Sequence, residues 1–270
     1  MKAGIIILAL VAAGAFAGVA SAQGTPAVSS NWSGYVATPP DGSAATFSDV
    51  TGTWIEPDVT CTPGRNDAVA FWVGLGGAGE ASPALEQLGT GAQCDGGTSP
   101  AAHYAWWEIV PAASVRIPVQ VKPGDKITAA VLVNGQRVTL SLKNLTTHKR
   151  FSKVITLTQT LDVTSAEWIA EAPSNCFGTR CRTVPLTNFG AVTFTNAAAI
   201  ANGHPGTILD PAWLQTPVEL IAGSDSTGRF LENDDILGSG VGAVPGDVST
   251  DGRSFAVVWH QDLQPPSSPS

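Results

Sequence analysis

Charge is what this chain has least of. Asp, Glu, Lys and Arg make up 13% of its 270 residues, about half the usual quarter of a soluble protein. Basic residues are the scarcer kind, 14 against 22 acidic ones, for a formal net charge of −8 at pH 7. On that balance no basic stripe is expected to neutralise phosphates, which excludes nucleic acid as the expected partner. No amphipathic pattern long enough for a three-turn helix occurs. The four cysteines include no C-x-x-C pair and no histidine stands beside them, so zinc has no usual ligand set and no metal or cofactor is expected. The signatures of the common nucleophiles and metallohydrolases, G-x-S-x-G, S-x-x-K and H-E-x-x-H, are all missing. Neither D-T-G nor D-S-G occurs. His103, His148, His204 and His260 are isolated in the sequence and read as surface or core histidines rather than bases.

What is present begins with an export signal. Met1-Lys2, the apolar run from Ile5 to Val11 and Ala20-Ser21-Ala22 ahead of Gln23 read as a secretory signal peptide. An uncleaved membrane anchor is the competing reading, disfavoured because the second half of the run is Ala/Gly-rich. The expected organisation is a signal peptide over 1–22, one domain over 23–263 and a frayed Pro/Ser tail over 264–270, acting outside the cell as a monomer without a membrane segment. Cleavage removes Lys2 and leaves 13 basic against 22 acidic residues. So few charges repel one another weakly in acid, and acid denaturation has less to act on. Cys61, Cys94, Cys176 and Cys181 form an even set in an exported chain, which predicts two disulfides. Three pairings are open, and proximity favours Cys61–Cys94 with Cys176–Cys181.

Hydrophobic residues, 43% of the chain, suffice for a substantial core, and Gly 29 with Pro 19 imply many turns. Alternation dominates the middle: Val115, Ile117, Val119 and Val121, then Ile127 to Val133, then Val138, Leu140 and Leu142 past the turn signal Asn134-Gly135. Ile155, Leu157 and Leu161 continue it, and Phe255, Val257 and Trp259 alternate near the end. These features predict an all-β fold, a single antiparallel β-sandwich of jelly-roll type. Ala197 to Ala201 and Pro211 to Leu214 are candidate helical turns. Asn31-Trp32-Ser33 and Asn144-Leu145-Thr146 fit the N-glycosylation sequon.

The remaining candidates for chemistry are carboxylates and amides. Eight glutamates occur, and Glu86, Glu108, Glu167 and Glu171 sit among apolar and aromatic neighbours. Strand alternation puts Glu167, Ile169 and Glu171 on one face and Trp168 and Ala170 on the other. Such a glutamate must be solvated in a cleft or paired. Eight tryptophans are expected mostly in the core, with a few free to line an extended groove.

Six segments then occur in order: Asn31-Trp32-Ser33-Gly34-Tyr35, Phe71-Trp72-Val73-Gly74-Leu75-Gly76-Gly77, Leu85-Glu86-Gln87-Leu88-Gly89-Thr90, Tyr104-Ala105-Trp106-Trp107-Glu108-Ile109-Val110-Pro111, Ala166-Glu167-Trp168-Ile169-Ala170-Glu171-Ala172-Pro173 and Phe189-Gly190-Ala191-Val192-Thr193-Phe194. Together they resemble the glutamic peptidases, or eqolisins, from about Asn31 to the last strand. The resemblance implies a concanavalin A-like sandwich acting on polypeptides with a glutamine–glutamate pair, which falls on Gln87 and Glu167. It also implies cleft positions at Trp32, Trp72, Glu108 and Glu171. The fungal members carry a long propeptide, whereas eight residues separate Ala22 from Asn31 here. Glu86 stands where the fungal form is apolar; alternation turns it to the opposite face from Gln87, and no direct role is expected for it.

Peptide hydrolysis needs a base for water, a donor for the oxyanion and an acid for the leaving amine. Glu167 suits the first and last roles. Gln87 suits the second, because an amide donates at any pH. The alternative is a secreted glycanase or carbohydrate-binding sandwich, with Glu108 and Glu167 as an acid/nucleophile pair; retaining chemistry requires such carboxyls to stand about 5–5.5 Å apart.

Overall fold

The computed structural model describes residues 24–40, 45–79, 82, 84–97, 99–177, 180–222 and 240–263, and the side chains of 176–181 fall outside that description. The expected signal peptide and C-terminal tail lie outside the described residues. So do the side chains of Cys176 and Cys181, whose backbones stand opposite each other in a short hairpin.

The elements are strands: β1 (Ala27–Ser29), β2 (Trp32–Thr38), β3 (Phe47–Ile55), β4 (Ala68–Gly76), β5 (Leu85–Gln93), β6 (Ala102–Ile109), β7 (Val115–Ile117), β8 (Lys126–Asn134) and β9 (Arg137–Asn144). β10 (Lys149–Thr156), β11 (Ala166–Glu171), β12 (Ser174–Phe177), β13 (Arg180–Thr183), β14 (Ala191–Ala201), β15 (His204–Gly206), β16 (Leu214–Ile221), β17 (Gly242–Pro245) and β18 (Phe255–His260) complete the order. No helix occurs among the described residues.

Sixteen strands share one hydrogen-bonded sheet in the order β10-β9-β8-β3-β14-β18-β17-β16-β2-β11-β4-β5-β6-β7, with β1 beside β16 and β15 beside β14. Pairing is antiparallel except for β1 with β16. β14 turns the sheet over: Ala191 to Phe194 pair with β18, whereas Thr195 to Ala201 pair with β3. The corner lies at a register shift beside Asn196, whose φ is 52°. The two limbs then face each other, β3 and β8 against β4 and β8 and β9 against β5. Between them lie Trp54, Phe71, Leu88, Ile127, Leu140, Trp168 and Phe194, each 0–1% exposed. The expected antiparallel sandwich is thus a single sheet folded onto itself.

The Asn134-Gly135 signal marks a two-residue hairpin, but the loop is Gly135-Gln136, because Asn134 pairs with Arg137. Gly135 supplies φ 58° at the first loop position, a place that favours glycine. The helical expectation for Ala197 to Ala201 is incorrect: this stretch is strand, its small side chains alternating between core and surface against β3. Pro211 to Leu214 is a turn leading into β16 rather than a helix. Of the sequon asparagines, Asn144 is fully buried and donates to Gln120 O and Asp125 Oδ2, so the folded chain offers no amide there for a glycan.

Cys61 and Cys94 are bonded, as expected, and tie the end of β5 to the loop before β4 across a sequence separation of 33. Closing a loop of that length removes about 4 kcal/mol of chain entropy from the unfolded state. The Cys61→Ser/Cys94→Ser variant should therefore lose stability of that order in urea unfolding at pH 5. A loss under 1 kcal/mol would show that the bond does not constrain the unfolded chain.

Candidate active site

β6, β5, β4, β11, β2 and β16 are consecutive neighbours, and their registers line up one row of side chains on the face turned away from the core. The row runs Glu108, Gln87, Gly74, Glu167, Val36 and Thr216. A second row holds Trp106, Gly89, Trp72, Ile169, Gly34 and Val218, and a third holds Tyr104, Gly91, Ala70, Glu171 and Trp32. Glycines sit where the aromatic rings lie down. A Cβ on Gly74 would stand 2.9 Å from the Trp72 ring and 3.0 Å from Leu85, and one on Gly91 would stand 2.8 Å from the Tyr104 ring. The glycine-rich run of β5 is thus a seat for large side chains.

All the expected site residues except the cysteines come together on this face. Gln87 donates from Nε2 to Glu108 Oε2 at 2.7 Å, while its Oε1 is buried without a protein partner. Trp72 Nε1 donates to Glu171 Oε2 at 2.7 Å, and Asn31 Nδ2 donates to Glu171 Oε1 at 3.1 Å. Trp32 meets Trp72 edge to face, with ring centroids 5.0 Å apart. A cleft of about 490 Å³ opens on one side of Trp32, lined by Gln87, Tyr104, Trp106, Glu108 and Glu171. Another of about 440 Å³ opens on its other side, lined by Val36, Gly77, Ala78, Thr216 and Val218.

Glu167 departs from expectation. It is neither solvated nor ion-paired: the residue is 0% exposed, and the one hydroxyl near enough to act on its carboxyl, that of Ser165, makes no well-aligned hydrogen bond to it. Burial holds it protonated well above the ordinary glutamate value of 4.5; the Ser165 hydroxyl offsets this in part, and Asp162 and Glu86 reinforce it. Glu86 faces the core, as alternation required, and is equally buried with both oxygens unpartnered. Desolvation and then the Asp162 charge lift it to about 8. Glu171 is lifted by burial to about 7, against the pull of its Trp72 bond. Burial also raises Glu108, opposed by the Gln87 bond.

Sequence reading missed Asp162. Burial alone would raise it, yet Ser82, Thr164 and the Gly77 N–H hold its carboxyl below the usual aspartate value. Those bonds, from Gly77 N at 3.2 Å and from Ser82 Oγ, pin the β4–β5 loop. Its signal in the sequence was Asp162-Val163-Thr164, a side chain that accepts from the backbone two residues on. His103 is no isolated residue either: its Nδ1 lies 2.8 Å from the buried Glu56.

Fold and site together present buried carboxyl and amide groups on one face of an all-β sheet. The model of the peptidase A4 family matches residues 30–235, and the chain belongs to that family. It is accordingly a glutamic endopeptidase by class. The matched stretch ends before β17 and β18, short of the last strand to which the resemblance was expected to run. The fold is similar to that of scytalidoglutamic peptidase, solved with a transition-state analogue inhibitor, at 24% identity and a TM-score of 0.65 over 85% of this chain and 98% of that one. It is also similar to SCP-B, an eqolisin family member in complex with the tripeptide Ala-Ile-His, at 22% identity and a TM-score of 0.62 over the same shares. Compared by sequence with curated proteins, the chain matches none.

The raised glutamates fix the direction of pH dependence. A carboxyl whose folded pKa exceeds its unfolded value adds stability that is complete below about 4.5 and is lost as pH rises through the folded value. For Glu171 and Glu86 the loss ends near 7 and 8. Each group contributes a slope of about 1.4 kcal/mol per pH unit in that window. Unfolding free energy should fall between pH 4.5 and 8, and Glu86→Gln should flatten the fall and stand above wild type at pH 8. Parallel wild-type and Glu86→Gln curves would show that Glu86 is not held neutral.

Proposed function

We propose that the chain is a secreted, acid-acting endopeptidase in which Glu167 is general base and then acid, and Gln87 steadies the oxyanion. The observation that supports this most is the row itself. Gln87 and Glu167 face the same way with only Gly74 between them. Gln87 lines the cleft beside Trp32 and Trp106, Glu167 is buried next to it, and each has a buried oxygen with no close protein hydrogen bond. Glu108 accepts one N–H of Gln87, which orients the amide and leaves the second N–H for the tetrahedral oxygen. An ionised Glu167 takes a proton from water as its oxygen adds to the carbonyl carbon. The same proton passes to nitrogen as the C–N bond breaks. Trp32 and Glu171 line the cleft where neighbouring residues of an extended polypeptide would rest, and the buried Trp72 supports both, edge to face with Trp32 and donating to Glu171. The Cys61–Cys94 bond supports an oxidising compartment and hence export.

The glycanase alternative loses ground on spacing. Glu108 and Glu167 stand three strand steps apart in the row, roughly 14 Å at Cα, and the Gln87 amide already occupies Glu108.

Digestion of an acid-unfolded protein across pH 2–8 tests the reading. Gln87→Ala should lower kcat about 10²–10³-fold, and Glu167→Gln more, with pepstatin without effect. Because burial raises Glu167, the rising limb of kcat/KM should lie above pH 4.5. Near-wild-type activity in either folded variant would overturn the assignment. Release of reducing sugar without proteolysis would transfer the site to glycan chemistry.

A further inference from the structure

The net charge hides a local surplus of the opposite sign. Half of the 14 basic residues fall in the 32 positions from Lys122 to Lys153, where the single acid is Asp125. That acid is buried and engaged by Asn144 Nδ2 at 2.8 Å and the Lys122 N–H at 2.9 Å. The expectation that the chain lacks any basic stripe therefore fails, because it rested on the overall balance.

Part of the stripe forms one surface: Lys126, Arg137, Lys143 and Arg150 share the outward face, whereas Lys149 and Lys153 of β10 stand opposite the inward-facing Asn144 and Leu140. Ile127, Ala129, Val131 and Val133 of β8 and Val138, Leu140 and Leu142 of β9 fill the core, so Lys126 and Lys143 point outward. Lys143 lies directly between Thr128 of β8 and Arg150 of β10. Like charges opposite each other on adjacent strands cost stability, and no carboxylate shares the outward positions of these three strands. Among the described residues the ion pairs both involve histidines elsewhere. Protection of a free sheet edge accounts for cations on β10. It does not account for Lys143 or Lys126 on interior strands.

The inward faces of β8 and β9 pack on β4 and β5, whose far side carries the cleft. A partner held by the basic surface would leave the cleft open. Between the cations the outward side chains are Thr128, Ala130, Ser141 and Ser152, then Thr139 flanked by the exposed Leu132 and Val154, with no aromatic ring on which a base could stack. Around Lys126, Lys143 and Arg150 the neighbours are small and mostly polar, so charge is what that end of the face offers a partner.

We propose that the outward face of β8, β9 and β10 docks the enzyme onto an acidic polysaccharide, anchoring it to an anionic matrix with its cleft turned away. This holds whether or not Gln87 and Glu167 are the catalytic pair. The test is run at pH 7, where the whole chain is negative at −8 and general attraction to polyanions is absent. Binding of the protein to dextran sulfate, polygalacturonate and a short DNA duplex is measured from 20 to 200 mM NaCl by sedimentation. Wild type should bind the polysaccharides and weaken at least tenfold over that range. Comparing dextran sulfate with polygalacturonate separates sulfate from carboxylate sources. Lys143→Glu/Arg150→Glu should abolish binding while keeping the melting temperature and peptide hydrolysis; Lys143→Gln/Arg150→Gln serves if the reversal unfolds the sheet. No binding at 20 mM NaCl, or equal binding by a folded variant, overturns the proposal. Tighter binding to DNA than to either polysaccharide overturns the choice of partner.

Discussion

Desolvation of carboxyl groups that have no cation beside them is the constraint on which this molecule turns. Glu86, Glu167 and Glu171 are lifted above their ordinary values by burial first and by neighbouring carboxylates second. Asp162 is the exception that organises them: donors from Ser82, Thr164 and Gly77 keep it ionised, and its charge helps hold Glu86 and Glu167 neutral. A sheet built this way carries uncharged acids where other proteins carry ion pairs. The scarcity of charge in the composition and the protonation of the site are one property seen at two scales. A neutral acid buried in apolar surroundings costs far less than its anion, so the scaffold is at ease only where protons are plentiful.

Much of the fold could be read because a strand's side-chain period is short and local. Val138, Leu140 and Leu142 announced their shared inward face, and Gly135 announced its turn. The row through Gln87 and Glu167 was legible only as two motifs, since their lateral alignment depends on pairing β5 and β11 to β4 across long stretches of chain. What escaped notice was set by packing. Ala197 to Ala201 looked helical because alanine favours helices, but pairing with β3 on one side and β15 on the other decided otherwise. The solvation expected for Glu167 gave way to complete burial, because Trp72 and Leu85 close over Gly74. The basic surface was overlooked because a sum over the chain cannot report where its terms lie.

Gly34 shows how tightly the site is bound to its support. Its φ is 151°, and a Cβ there would stand 2.0 Å from the Trp168 carbonyl oxygen, so β2 approaches β11 as only a glycine permits. That approach brings Trp32 and Val36 alongside Glu171 and Glu167. The floor of the cleft is therefore fixed by backbone proximity, with side chains following.

β14 belongs to both limbs of the folded sheet, and that has a bearing on survival. An endopeptidase cuts chain that can be drawn out and threaded through a cleft, and its own chain is always the nearest at hand. Two stacked sheets joined by loops could part locally and offer a segment. Here the limbs share a strand, so parting them means breaking ladders on both sides of β14 in one event. Cleavage of a folded protein follows how often it opens, and a sheet that must open all together opens rarely. The corner that shapes the fold thereby also shields the enzyme from copies of itself.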